Sequence, residues 1–204
     1  TGIVDVYPSV NLMGLDSKIR EIPGSGMDMN MLFPGSKSGA LGEYTASCLF
    51  DDIQGADVCV DLHASNLYIQ EVPQVRINDE KVEELLPIAK CLNTDMIWIH
   101  PSTSVLNGSL AYSLNHVGVR TVVIESGVAY RINQKYCNQI VDGIFALMKE
   151  MGIWTGDSVE PKKNVVTNDS DMTYINAESS GIFIPNVNMY NQVKEGDEIG
   201  TIVN

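Results

Sequence analysis

The segment Val58-Cys59-Val60-Asp61-Leu62-His63 is a short apolar run that stops on a histidine. A second run, Arg120-Thr121-Val122-Val123-Ile124-Glu125-Ser126-Gly127, is built the same way and reaches a glutamate. Short β-branched apolar runs bounded by polar residues are the signature of strands covered on both faces. They demand a sheet with helices packed on either side. In sheets of that kind ligands bind outside the carboxyl ends of the strands. A histidine and a glutamate delivered to that edge have the chemistry of a metal ligand and a general base. Both residue types also end strands in purely structural roles, so the pair takes its meaning from its surroundings.

The rest of the chain alternates in the same sense. Leu41–Ile53 has apolar or small residues at helical spacing. Gln74–Ile77 reads as a short strand after Pro73. Asp79 caps a helix with Val82, Leu85, Leu86 and Ala89 on one face. Met96–Ile99 is an apolar strand running into His100-Pro101, and Leu110–His116 is a short helix ended by Gly118. Tyr136, Ile140, Ile144, Leu147 and Met148 mark a long amphipathic helix that stops near Gly152. This pattern predicts an α/β fold with a mostly parallel, mixed sheet flanked by helices. Residues 3–10 begin as a strand and enter a loop rich in Gly, Pro, Ser and Asn that extends to about residue 39. A connection that long is usually functional.

The texture changes near residue 155. Beyond the acidic linker Gly156–Pro161 come short β-like pieces, Asn164–Val166, Thr173–Ile175, Ile182–Ile184 and Glu198–Val203. They predict a small all-β appendage. The expected organisation is therefore an α/β domain over residues 1–155 and an incomplete β-rich domain over 162–204. Both ends of the chain read as cut.

Composition excludes several function classes. The 204 residues carry a net charge of −13, and Lys162-Lys163 is the one adjacent basic pair. That argues against nucleic acid and anionic membrane surfaces as partners. No apolar run is long enough to span a bilayer. Cys48, Cys59, Cys91 and Cys137 lie far apart without a C-x-x-C pair, as expected of reduced thiols in a cytoplasmic protein.

Several segments in order carry a resemblance. They are Asp28-Met29-Asn30-Met31-Leu32-Phe33-Pro34-Gly35, Asp61-Leu62-His63, Gly108-Ser109-Leu110, Gly118-Val119-Arg120 and Glu125-Ser126-Gly127. Ile175–Phe183 and Val193–Gly200 follow. Together they resemble the succinylglutamate desuccinylase/aspartoacylase family of the zinc carboxypeptidase superfamily. The resemblance implies a zinc carboxypeptidase-like catalytic domain with a C-terminal barrel-sandwich-like piece. It implies a hydrolase with one Zn2+ per intact site, His63 as a zinc ligand and Glu125 as the general base. It also implies that Asn30 and Arg20 bind substrate; Arg76, which follows soon after the His63 strand, is on position alone a candidate substrate-binding residue in place of the family arginine missing at Met31. The substrate would be an N-acyl amino acid or short peptide, and the protein a possible homo-oligomer.

Two departures matter. The family's other zinc ligands come from an upstream His-Gly-x-x-Glu motif, yet no His-x-x-Glu occurs here. The expectation is that these ligands precede Thr1. Met31 stands where the family usually has an arginine that pairs with the substrate carboxylate. Methionine cannot make that bidentate pair. The alternatives left open are a metallocarboxypeptidase acting on a peptide C-terminus and a non-catalytic binding remnant. Asp61 is expected to orient a loop or cap a helix, and His100 and His116 to be structural.

Overall fold

The computed structural model describes residues 1–101 and 108–204. Its strands are β1 (Val58–Ala64), β2 (Glu71–Asn78), β3 (Met96–His100), β4 (Arg120–Gly127), β5 (Val165–Asn168), β6 (Ile182–Pro185) and β7 (Gly200–Val203). The first five form one sheet in the order β1-β4-β2-β3-β5. β1 with β4, β2 with β3 and β3 with β5 pair in parallel, while β2 and β4 are antiparallel. The antiparallel seam runs through the middle of the sheet. It sends the carboxyl ends of β1 and β4 to one edge and those of β2, β3 and β5 to the other.

The helices are α1 (Leu12–Ser17), α2 (Leu41–Ile53), α3 (Val82–Cys91), α4 (Leu110–His116) and α5 (Gln134–Glu150). Period-two alternation divides the strand residues between two faces. On one face Val75, Ile77, Ile97, Val122 and Ile124 pack against Leu85, Ile88 and Ala89 of α3 and Leu147 of α5. On the other, Cys59 packs against Phe50 and Ile53 of α2, Leu110 and Leu114 of α4, and the loop residues Ile22, Met29 and Phe33. The loop before α2 is thus anchored by apolar side chains despite its polar composition. Residues 3–10 form no strand, and α1 and a 3-10 turn at Met29–Met31 occupy what reads as loop. Asn11 caps α1 by accepting from the Gly14 N–H, a local device that a six-residue helix hides from periodicity.

The chain divides into two compact units, Thr1–Asp169 and Ser170–Asn204. Val165 and Val166, expected in the appendage, belong to β5 and extend the main sheet beside β3. Asn164 and Lys162 tie that strand down: Asn164 Nδ2 donates to the Thr94 carbonyl, and Lys162 N–H donates to Asn93 Oδ1 at 3.1 Å. The second unit contains a small antiparallel sheet, β6 with β7. Thr173–Ile175 is not a strand. Among the described residues no helix is long and apolar enough to cross a membrane.

Candidate functional site

His63 and Glu125 are direct partners in the parallel β1–β4 register. Register partners point to the same face, and neighbouring strands lie about 4.8 Å apart. The two side chains are therefore adjacent at the carboxyl edge of β1 and β4. Both are largely sheltered, with side-chain exposures of 19% for His63 and 15% for Glu125. The face they share continues across the seam, because Gln74 pairs with Glu125 and Arg76 with Val123. Trp98 then pairs with Arg76. His63, Glu125, Gln74 and Arg76 thus form a polar band across this face of the sheet.

Asp61 corrects the expectation of a loop-orienting or capping role. Residues two apart in a strand share a face, and Asp61 Oδ2 lies 3.1 Å from His63 Nε2. A carboxylate accepting from Nε2–H fixes the tautomer and leaves the lone pair on Nδ1. Burial pulls the pKa of His63 down, but the hydrogen bond and charge of Asp61 and the charge of Glu125 outweigh it, and the net shift is upward. Glu125 is also raised. Desolvation is the largest cause, opposed by the charges of Arg76 and His63 and reinforced by Glu71. A carboxylate of raised proton affinity is a better general base than an exposed one.

The loop residues are held by one another. Arg20 Nε donates to Asp28 Oδ2 at 2.8 Å, while Asp28 Oδ1 accepts from the Asn30 N–H at 3.0 Å. Arg20 is mostly exposed, and its charge acts on both His63 and Glu125. Asn30 has a structural task, since its Oδ1 accepts from the Leu110 N–H at 3.1 Å and so fixes the start of α4. The Phe33 N–H donates to the Gly108 carbonyl at 2.8 Å in the same seam. Gly108 has φ +97°, and a Cβ there would lie 2.7 Å from the Met31 carbonyl oxygen, so the close approach requires glycine. Met31 is itself half exposed beside this junction.

Arg76 is already engaged within the chain. Its Nη2 donates to Glu71 Oε1 at 2.6 Å, its Nη1 lies 3.7 Å from Glu125 Oε1, and its guanidinium sits 5.4 Å from the Trp98 ring centre. Glu71 carries no signal in the sequence that marks it as part of a site. Neither does Asp169, which accepts from Trp98 Nε1 at 2.8 Å. His100 stacks on Trp98 with ring centres 4.3 Å apart. It lies at the opposite sheet edge from His63, because β3 runs antiparallel to β1 and β4. His116, on α4, places its Nδ1 2.9 Å from the Tyr112 carbonyl, a helix-end contact.

A catalytic zinc needs three protein ligands and an open position for water. Among the described residues no group of three His, Cys, Asp or Glu side chains could hold a metal ion. His63 is one donor, with Asp61 as the carboxylate that orients it. Cys59, on the same strand face, has its thiol pKa pushed up to about 12 by burial and the charge of Asp61. It is not a thiolate at neutral pH. The described residues by themselves do not fit a zinc ion.

Comparison with known proteins bears on the same segments. The model of the succinylglutamate desuccinylase/aspartoacylase catalytic domain matches residues 2–151. No curated protein matches the chain. Several solved structures share the fold, among them the following three. A succinylglutamate desuccinylase from Silicibacter sp. TM1040 is 19% identical with a TM-score of 0.83, covering 97% of this chain and 61% of that one. A succinylglutamate desuccinylase/aspartoacylase from Rhodobacter sphaeroides is 22% identical with a TM-score of 0.80, covering 97% and 62%. The product-bound ectoine utilization protein EutE (DoeB) from Ruegeria pomeroyi is 18% identical with a TM-score of 0.81, covering 97% and 61%. The chain thus spans about three-fifths of the length of the structures it matches. The family's members are amidohydrolases, and with the match running through both strands that carry His63 and Glu125, the chain belongs to the succinylglutamate desuccinylase/aspartoacylase family.

Proposed function

We propose that this chain is the larger part of a zinc-dependent amidohydrolase that cleaves the amide bond of an N-acyl amino acid or a related small substrate. The observation that carries the reading is the adjacency of Glu125 and His63 in one register on a sheltered sheet face. Glu125 would accept the proton of the attacking water and return it to the leaving nitrogen. His63, fixed by Asp61, would supply one metal donor through Nδ1, with the remaining ligands from outside residues 1–204. A bound zinc would supply an acidified water and a polarised acyl carbonyl. Arg20 is the better receptor for a substrate carboxylate, since its ion pair with Asp28 is largely solvent-exposed and yields readily. The four free cysteines support a reducing, cytoplasmic setting.

The test is a panel of N-acyl amino acids and short peptides, assayed on zinc-loaded parent protein that carries the remaining ligands and on its Glu125→Gln variant. Release of free amino acid from the N-acyl compounds, lost in the variant, is the expected result. Turnover of peptides alone would make the protein a carboxypeptidase. Binding without turnover in either set would make it a binding module.

A further inference from the structure

Arg76 and Glu71 meet because β2 is irregular. Residues Gln74, Val75 and Arg76 pair with Glu125, Ile124 and Val123, but Glu71 pairs with Gly127. Between Glu71 and Gln74 the β2 strand advances three positions while β4 advances two. One extra residue is therefore inserted in β2, the definition of a β-bulge. In a regular strand residues five apart face opposite ways. The bulge reverses the phase and brings Glu71 onto the face of Gln74 and Arg76. Bulges serve to re-aim side chains, and this one delivers a carboxylate to the far side of a guanidinium.

The result is a cation held on three sides. Glu71 Oε1 accepts from Nη2 at 2.6 Å, the Trp98 ring lies 5.4 Å from Cζ, and Glu125 Oε1 lies 3.7 Å from Nη1. Trp98 is in turn fixed by Asp169. Arg76 Nε and Gln74 Oε1 are buried without a hydrogen-bond partner among the described residues. Gln74 is 2% exposed and stands directly beside Glu125 in the antiparallel register. The carboxylate of Glu125 thus has a fixed cation along one edge at ion-pair rather than hydrogen-bond distance. Because Glu71 takes the shorter bond, Arg76 orients Glu125 without gripping it.

We infer that Arg76 is a positioning residue for Glu125, held in place by the bulged Glu71, and is not a receptor for substrate. This rests on the proposed role of Glu125 as the base. The guanidinium holds Oε1 and leaves Oε2 for the proton transfer. Removing the guide lets the carboxylate swing among rotamers, and a misplacement of about 1 Å costs about 10²-fold in rate. A receptor would behave differently, because lost ground-state binding raises KM and leaves kcat unchanged.

The experiment uses the zinc-loaded parent protein that carries the remaining ligands, with Arg76→Met, Arg76→Lys and Glu71→Gln, assayed on the N-acyl amino acid that the wild type turns over best. Arg76→Met should lower kcat by about 10²-fold with KM nearly constant. Arg76→Lys should recover part of that loss, since it keeps the charge but not the fork. Glu71→Gln should also lower kcat. A raised KM with normal kcat in Arg76→Met would overturn the inference, as would unchanged kcat. A thermal-unfolding double-mutant cycle between Arg76→Met and Glu125→Gln is read on the 204-residue chain, independently of activity. Non-additive Tm shifts support the contact, and additive shifts overturn it. If the wild type turns over no compound on the panel, the hydrolase reading fails, and the cycle alone decides whether Arg76 holds Glu125.

Discussion

His63 and Glu125 face each other across adjacent parallel strands, and each enters the other's electrostatics. The glutamate's charge raises the proton affinity of the imidazole, while the imidazole lowers that of the glutamate. The two groups therefore cannot be altered independently.

Glu125→Gln keeps the shape of the side chain and removes the proton acceptor. In the zinc-loaded protein, turnover should fall by about 10² to 10⁴, the usual worth of acid–base catalysis. Stability should not fall with it. Desolvation raises the folded-state pKa of Glu125 above its ordinary value of 4.5, so the fold favours the protonated form. That preference is complete below the unfolded pKa and is lost as pH rises through the folded one. At pH 7 the Gln variant should therefore match or exceed the wild type in Tm, with any advantage gone below pH 4. Kinetics and a Tm series over pH read both quantities. Near-normal turnover with a depressed Tm would assign Glu125 a structural role.

Asp61→Asn tests the imidazole side. The pKa of His63 is raised above 6.5 despite the lowering effect of burial, chiefly through Asp61. A raised histidine pKa contributes stability that is fully present below the unfolded value and disappears as pH rises through the folded one. In metal-free chain the stability gap between wild type and Asp61→Asn should be wide at pH 5 and narrow at pH 9. Urea melts at the two pH values measure it. A gap of equal size at both would mean that Asp61 stabilises the chain by a route other than the charged pair. An NMR titration of His63 should move to lower pH in the variant.

Asn30 separates support from recognition. Its Oδ1 takes the Leu110 N–H at the start of α4, and leaving that donor unpaired costs about 1–3 kcal/mol. Asn30→Ala should lose stability of that order. Asn30→Asp keeps an oxygen acceptor, so its stability should stay near wild type. Its added negative charge should raise KM for an acidic substrate if the side chain also meets substrate. Equal Tm values for Ala and Asp variants would show that the contact to Leu110 does not hold the loop.

The α/β architecture is legible because its strands and helices carry clean periods. Leu41–Ile53 and Leu110–His116 form helices over the spans their spacing predicts, and the strands carrying His63 and Glu125 near their carboxyl ends place both groups at one edge. What sequence reading misses is non-local. The antiparallel seam between β2 and β4 is a pairing choice that no single strand encodes, and it alone removes His100 from the His63–Glu125 edge. The Glu71–Arg76 contact is hidden by the bulge, since a five-residue spacing predicts opposite faces. Asp61 was within reach, because a two-residue spacing to His63 on a strand already implies a shared face. The β5 residues read as part of the appendage because their texture is that of the residues after them, whereas edge pairing with β3 decides where they go.

Metal retention is the remaining test, and it turns on donor count. A tetrahedral zinc site draws its affinity from three or four ligands acting together, and deprotonated donors are required. Among the described residues of this chain His63 has no companion set of donors, and Cys59 holds its proton far above neutral pH. The raised pKa of His63 adds competition, because a proton must leave the ring before a metal can bind. Chain of residues 1–204 loaded with excess zinc and then dialysed should retain far less than one zinc per molecule. Retention should rise with pH as His63 deprotonates, and His63→Ala should abolish that pH dependence. Stoichiometric zinc that survives dialysis and is lost in His63→Ala would mean that these residues complete a site of their own, and that no ligand from outside them is needed.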